Sequence, residues 1–395
     1  MKLALLSPLP PEKNGIANYA EFFCSALQNN GIEVSTPLKG EEVFSSTDEV
    51  NSFVKQHDWN NFDLVHVELG GGRLREYAII KALRRMYPNL PITATIHDPE
   101  RLIWRSEKLP WPLNRLKDQG VLYKGAMLLV NPCALRDERR TAGQLDRLFT
   151  LTNTGAFFLQ KRMRLTQNRI SVIPHGNTEI PFKPLPPVDP LKLLYFGFIY
   201  KGKGIEDLID AFGLAVKQYG SQRKGLKLTL AGGCAPETAF GQKVDYLSEL
   251  KNQINTLGLN DFINWELDIP DDGISDLIQN HHVVVLPYQE SKKIKLLGNM
   301  RGTSGALSWA IACGRGVITS DARSFSEEVG FGNGIVYPQG DIKILGKHIG
   351  MIFQQPELIA SWAEKAHEIA LEREWKKIAK KFKEVFSNII NGVVK

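Results

Sequence analysis

A pair of doubly wound α/β domains is what this 395-residue chain predicts, on three observations. The chain is too long for one ordinary hydrophobic core, since single cores stop growing at about 250–300 residues. Short apolar runs alternate with longer amphipathic segments, which indicates βαβ units and a parallel sheet with helices on its faces. A proline-dense stretch interrupts that alternation, and the pattern then restarts.

The elements follow in order. KLALL is followed by NYAEFFCSALQNN, FDLVHVEL by EYAIIKALRRM, and ITATIH and LFTL continue the series. Next comes PHGNTEIPFKPLPPVDP, whose Pro181, Pro184, Pro186, Pro187 and Pro190 make it a stiff linker and not a core element. After it LKLLYFG, GIEDLIDAFGLAV, LKLTLAGG, FINWEL, HVVVLPY, GALSWAIACG and GVITSD repeat the alternation. The join is placed near residue 185, giving domains 1–185 and 186–369, and the cleft between two such domains is the expected ligand site. The tail SWAEKAHEIALEREWKKIAKKFKEVFSNII is an amphipathic helix with a basic face.

Bulk properties narrow the function. The 49 basic residues minus 43 acidic ones leave +6, which permits anionic small molecules or an acidic membrane surface but is no nucleic-acid footprint. Cys24, Cys133, Cys234 and Cys313 lie far apart without metal-ligand spacing, so they are expected to be reduced, buried thiols. MKLALLSPLPP reads as a first strand and not as a signal peptide, and no stretch is apolar enough to span a membrane. A cytoplasmic location is inferred.

Candidate chemistry sits at the strand ends. In SPLPPEKNGIANY, Gly15 opens a helix where backbone amides can meet an anion; it can equally be a connecting turn. GFIYKGKG has the GxxxxGK spacing of a phosphate loop, but Gly204 stands where a magnesium-binding Ser or Thr belongs, which argues against a nucleotide hydrolase. Lys203 remains a cation between strand and helix. ATIHDPE places His97 and Asp98 just beyond a strand, where open α/β sheets bind ligands; VIPHGN does the same for His175. Glu68, at the end of HVEL, is either a contact for a polyhydroxyl ligand or an exposed turn carboxylate. His281 and His282 read as structural. The aromatic and basic pairs of RLIWRSEKLPWPLNRLK read as a packed loop before a membrane-dipping one.

In their order and spacing, SPLPPEKNGIANY, TIHD, VIPHG, FGFIYKGKGIEDLIDAF and GALSWAIACGRGVITSD resemble the retaining GT-B glycosyltransferases of family 4. The resemblance runs from residue 3 to about 330 and is closest to the bacterial branch that assembles surface glycans, whose SGxLxxAxxxGxxVIxT-like segment is matched by SGALSWAIACGRGVITS. It implies a GT-B fold of two Rossmann-like domains facing a central cleft. The first would be the acceptor-side domain, completed by residues 370–395, and the second would bind the nucleotide-sugar. It further implies that Gly302, Thr303, Ser304, Gly305 and Ala306 hold the donor diphosphate at a helix N-terminus with Lys203 opposite. His97 would act beside the transferred sugar, Gly15 would face the donor phosphate, and Leu267 and Asp268 would lie near the nucleobase. Glu68, Asp98, His175 and Arg301 are assigned to the sugar and acceptor side.

The chain departs from the family at the two glutamates that usually grip the sugar and the ribose. Their positions hold Arg301 and Trp309, and Phe198 replaces the arginine that usually accompanies Lys203. Transfer through an oxocarbenium-like state needs no carboxylate nucleophile, because the departing phosphate can take the acceptor's proton and the protein stabilises the leaving diphosphate. The expected function is retaining transfer of a hexose from a UDP- or GDP-linked donor, UDP preferred, to a glycan or lipid-linked acceptor. No metal, cofactor or nucleic acid is expected, and the basic tail admits a peripheral contact with the inner membrane face. The alternative is a catalytically silent GT-B subunit that only binds.

Overall fold

The computed structural model describes residues 1–12, 14–41, 44, 46–104, 113–116, 120–219, 225–233, 246–290 and 297–392. Cys234 and most of the RSEKLPWPLNRLK stretch lie outside them. The chain forms two compact units, Met1–Gly176 with Lys292–Thr303 and Trp375–Lys395, and Asn177–Ser291 with Ser304–Glu374.

The first unit carries a six-stranded parallel sheet in the order β2-β1-β3-β4-β5-β6. Its strands are β1 (Lys2–Leu6), β2 (Glu33–Ser35), β3 (Leu64–Leu69), β4 (Ile92–Ile96), β5 (Arg147–Thr150) and β6 (Ile170–Val172). Successive side chains of a strand point to opposite faces. In β3, Val65, Val67 and Leu69 therefore enter one core with Trp59, Ile80 and Ile96, while Leu64 joins the opposite core with Leu3, Leu5, Phe23 and Phe149. His66 and Glu68 share the face of Leu64.

Helices α1 (Gly15–Asn29), α2 (Thr47–Gln56), α3 (Leu74–Met86), α4 (Gly120–Gln144) and α5 (Asn153–Met163) link these strands. Asn14 caps α1, its side chain accepting from the amides of Ile16 and Ala17 at 3.1 and 2.9 Å. That cap supplies one of the orphan-donor partners every helix start requires.

The second unit holds β7 (Leu191–Phe196), β8 (Leu226–Gly232), β9 (Ile263–Leu267), β10 (Val283–Leu286), β11 (Gly316–Ser320) and β12 (Gly334–Tyr337), also all parallel, in the order β12-β11-β10-β7-β8-β9. Around it lie α6 (Ile205–Tyr219), α7 (Tyr246–Leu257), α8 (Ile274–Gln279), α9 (Gly305–Ala312), α10 (Phe325–Val329), α11 (Ile342–Gln354) and α12 (Glu357–Glu372). The last helix, α13 (Trp375–Ile390), belongs to the first unit. It buries Trp375, Ile378, Ala379, Phe382 and Phe386 on one stripe against α1 and β5.

The proline-rich stretch is fastened to the second unit by a buried arginine. Arg315 donates to the carbonyls of Lys183 and Pro184 and to those of Gln279 and His281. Burial pushes its guanidinium down to about 10. His281 is a satisfied core histidine: Nδ1 lies 2.7 Å from the Leu277 carbonyl and Nε2 2.7 Å from Thr229 Oγ1. Burial moves its pKa down to about 4. Of the cysteines, Cys313 is buried and Cys24 half-buried, whereas Cys133 is exposed on α4, contrary to the expectation of buried thiols. Among the described residues no helix is long and apolar enough to cross a membrane.

Candidate active site

In the first unit the site is built on the adjacent ends of β3 and β4. Their register pairs His66 with Thr93 and Glu68 with Thr95, so polar residues alternate along one face of two otherwise apolar strands. His97 is the next residue in that alternation. Its Nε2 lies 2.7 Å from Glu68 Oε2, and His66 Nε2 lies 3.2 Å from Oε1. Burial pushes the Glu68 carboxyl up, but the hydrogen bonds and charges of His66 and His97 outweigh it and bring the pKa down to about 2.

An ionised carboxylate only accepts, so His97 Nε2 carries the proton and donates. The other nitrogen, Nδ1, is engaged by no hydrogen bond among the described residues and presents a lone pair whenever the ring is neutral. Glu68 is fully buried, so its carboxylate acts on His97 from behind and is not presented to solvent. Tyr19 packs edge-on against both His97 and His175, at 4.7 and 5.1 Å between ring centroids. Among the described residues its buried hydroxyl has no hydrogen-bond partner, and burial followed by the charge of Glu68 raises its pKa.

Asp98 ties the two strand ends together by accepting from the Gly71 amide at 3.0 Å. His175 turns Nδ1 to the Gly176 carbonyl at 2.6 Å and packs on Trp375 as well as Tyr19. Gly15 is exposed at the α1 entrance, where Asn14 already holds the following amides.

Residues 298–303 join this unit although they lie between elements of the other. The Asn299 amide donates to Glu100 Oε2 at 2.7 Å and the Arg301 amide to the Pro99 carbonyl at 3.2 Å. Glu100 has φ 93, a strained value for a non-glycine residue. The Arg301 guanidinium lies 4.2 Å from the Phe158 ring centroid, with Nε 3.7 Å from Glu100. A Cβ at Gly302 would fall 2.3 Å from the His97 carbonyl oxygen, so only glycine lets the chain pass there. Half-buried Thr303 ends the segment.

In the second unit the centre is the buried Tyr288. Lys203 Nζ lies 3.6 Å from its ring centroid and the Arg323 guanidinium 5.7 Å from the same centroid. The Tyr288 hydroxyl is 3.0 Å from Ser304 Oγ. Ser304 is the N-cap residue of α9, yet its side chain makes no hydrogen bond to the helix. Gly305, exposed with open space around it, and buried Ala306 form the first turn. Two cations and an uncapped helix entrance are thus grouped around one ring, an arrangement suited to an anion.

Gly204 has φ +68, and a Cβ there would meet the Pro287 carbonyl oxygen at 1.8 Å, so the loop bearing Lys203 closes on the end of β10. That close approach explains glycine where a phosphate loop has Ser or Thr. Trp309 packs partly buried against the core, and the Ser308 hydroxyl is bonded to Asn177. Leu267, the last residue of β9, and Asp268 after it stand exposed, Asp268 with φ 53. Phe198 is exposed. Glu290 accepts from the Arg323 amide at 3.1 Å. Among the described residues no group of three or more His, Cys, Asp or Glu side chains is arranged to hold a metal.

Arg323 and Tyr288 have no signal in the sequence that marks them as site residues. SDARSF carries no recognisable motif, and Arg323 reaches Tyr288 from a left-handed turn, φ 58, after β11. Tyr19 is equally silent, a core aromatic by pattern.

Comparison with known proteins agrees with this architecture. The family described as Glycosyl transferases group 1 matches residues 176–369. An exopolysaccharide phosphotransferase of Streptomyces coelicolor is 23% identical over 63% of this chain, and the match spans 24% of that relative's length. The sucrose-phosphate synthase of Thermosynechococcus elongatus has a TM-score of 0.72 at 17% identity, covering 99% of this chain and 100% of that one. Anabaena HepE, solved with UDP, has a TM-score of 0.67 at 17% identity, covering 98% and 100%; it has also been solved with UDP-glucose. The chain therefore has the two-unit, Rossmann-like α/β architecture of GT-B structures, and its residues 176–369 match the Glycosyl transferases group 1 family.

Proposed function

We propose that this protein is a retaining, metal-independent glycosyltransferase that moves a hexose from a nucleotide-sugar, UDP-linked in preference to GDP-linked, to a glycan or lipid-linked acceptor. The observation that carries the reading is the placement of Lys203 and Arg323 against Tyr288, whose hydroxyl meets the residue heading α9. Such a group neutralises a leaving diphosphate without a metal, and pre-organised charge of this kind commonly supplies more of an enzyme's rate enhancement than any other single effect. Arg323 supplies the second cation that Phe198 does not. His97, its proton held on Nε2 by Glu68, offers Nδ1 as acceptor to a hydroxyl of the transferred sugar. The UDP complexes of HepE and the surface-glycan resemblance support the donor and product classes.

Two measurements test this. In a thermal-shift screen with UDP, GDP and ADP, UDP should stabilise most; a ligand at about 100 times its Kd adds about 2.7 kcal/mol. Sustained release of UDP from UDP-hexose by the purified protein in the presence of EDTA is the expected outcome. Binding of UDP without any turnover, with or without a glycan acceptor, would instead favour the silent binding subunit, a reading motivated by Arg301 and Trp309 at the glutamate positions.

A further inference from the structure

Helix α4 has a face that the first unit does not cover. Leu122, Gly125, Leu129, Pro132, Cys133, Arg136 and Arg140 recur every three or four residues, which places them on one side of a helix. All are exposed, and Leu129 is 77% accessible; Val121, beside Leu122, reaches 83%. These are the most exposed large apolar residues among those described.

The opposite side is firmly held. Glu138 accepts from Arg101 Nε at 3.1 Å and from the Leu102 amide at 3.0 Å, Lys81 Nζ reaches Asp137 at 2.8 Å, and Arg139 Nε donates to the Arg162 carbonyl at 2.9 Å. The exposed stripe is therefore presented on a fixed scaffold.

Charge identifies the occupant. The two carboxylates of α4 are paired, Asp137 with Lys81 and Glu138 with Arg101, and among the described residues the exposed charged side chains of the helix are Arg136 and Arg140. Apolar residues at one end of a helix and cations at the other match the acyl and phosphate layers of an anionic bilayer surface.

The basic tail lacks this combination. Lys376, Lys377, Lys380 and Lys381 of α13 are exposed, but every large apolar residue of its stripe is in the core. On α3, Arg84 is bound to Asp146, Pro88 and Leu90, and Arg85 to Asn51.

We propose that the α4 face, Val121 to Arg140, docks the protein on anionic lipid, its N-terminal half entering the interface. The proposal is independent of the transfer reading, and its test uses no donor. Full-length protein is sedimented with phosphatidylglycerol-containing vesicles and with pure phosphatidylcholine vesicles. Binding to the anionic vesicles is expected, reduced at least about tenfold, or about 1.4 kcal/mol, by Leu129→Asp with Val121→Asp, and little changed by glutamine at the four exposed α13 lysines. An environment-sensitive probe on Cys133, with Cys24 and Cys234 replaced by serine, should shift to the blue only with anionic vesicles. This second readout keeps α4 otherwise intact if the aspartates disturb folding. Absence of vesicle binding, or binding with an unshifted probe, overturns the proposal. So does loss of binding in the α13 variant alone, or a Cys133 shift that follows protein concentration without lipid, which would mark a contact between copies.

Discussion

Replacing Glu68 by glutamine removes one charge and almost no volume, and its effect should depend on pH in a calculable way. The carboxyl is held at about 2 against an ordinary 4.5. A native pKa below the unfolded one stabilises the fold above the unfolded value, and the contribution is lost as pH falls toward the native value. The contribution is on the order of a few kcal/mol at pH 7 and smaller at pH 3.5, where part of it has been lost. Glutamine does not titrate, so the gap between the two proteins should narrow by about 1 kcal/mol between these pH values, a several-fold change in the local opening constant. Native-state hydrogen exchange of peptides from β3 and β4 reads that constant directly. Glu68→Gln should also lower kcat more than it raises KM, because an amide can donate to His97 and reverse its tautomer. A gap that stays the same at both pH values would refute the ionised carboxylate held between two histidines.

Lys203→Ala should lower kcat/KM by about 2–4 kcal/mol, the scale of one electrostatic donor, and Arg323→Ala by a similar amount; turnover within threefold of the parent in either removes that cation from the mechanism. Gly204→Ser completes a phosphate-loop consensus, yet it should destabilise the second unit by more than about 1 kcal/mol and confer no magnesium dependence, read by denaturant unfolding and by EDTA. His281 is held neutral with its pKa near 4, so stability present above about 6.5 should fall as pH drops through that window; His281→Asn should flatten the profile, and equal slopes would contradict the burial argument. With Trp309 where a ribose-gripping glutamate is usual, a 2'-deoxyribonucleotide donor should be less than about thirtyfold worse than the ribonucleotide; a larger penalty would reveal a strong ribose contact.

Local patterns carry the secondary structure of this chain. β3 and β4 announce themselves as apolar runs, and the glycines flanking Lys203 mark its turn. The Glu68–His97 pair was within reach, since HVE and TATIH each place polar groups two residues apart on one strand face. What a single sequence does not state is that these strands are neighbours in register, which turned an apparent turn carboxylate into a buried partner of two histidines. Arg301 illustrates the limit in another way. The family register assigns it to the sugar side, and the structure adds what sequence does not state, its packing on Phe158 beside Glu100. Arg323 needed long-range geometry alone, because nothing near it in sequence predicts a left-handed residue reaching Tyr288.

The return of α13 to the first sheet has a consequence for biosynthesis. Leu3, Leu5, Phe23 and Phe149 are made early, but the helix that covers them begins at Trp375. Some 200 residues separate β6 from that helix, so at about 5–20 residues per second the uncovered face persists for about 10–40 s on the ribosome. During that interval the nascent chain carries an open aromatic surface suited to a chaperone, and slowing translation of the intervening unit should raise the fraction that aggregates.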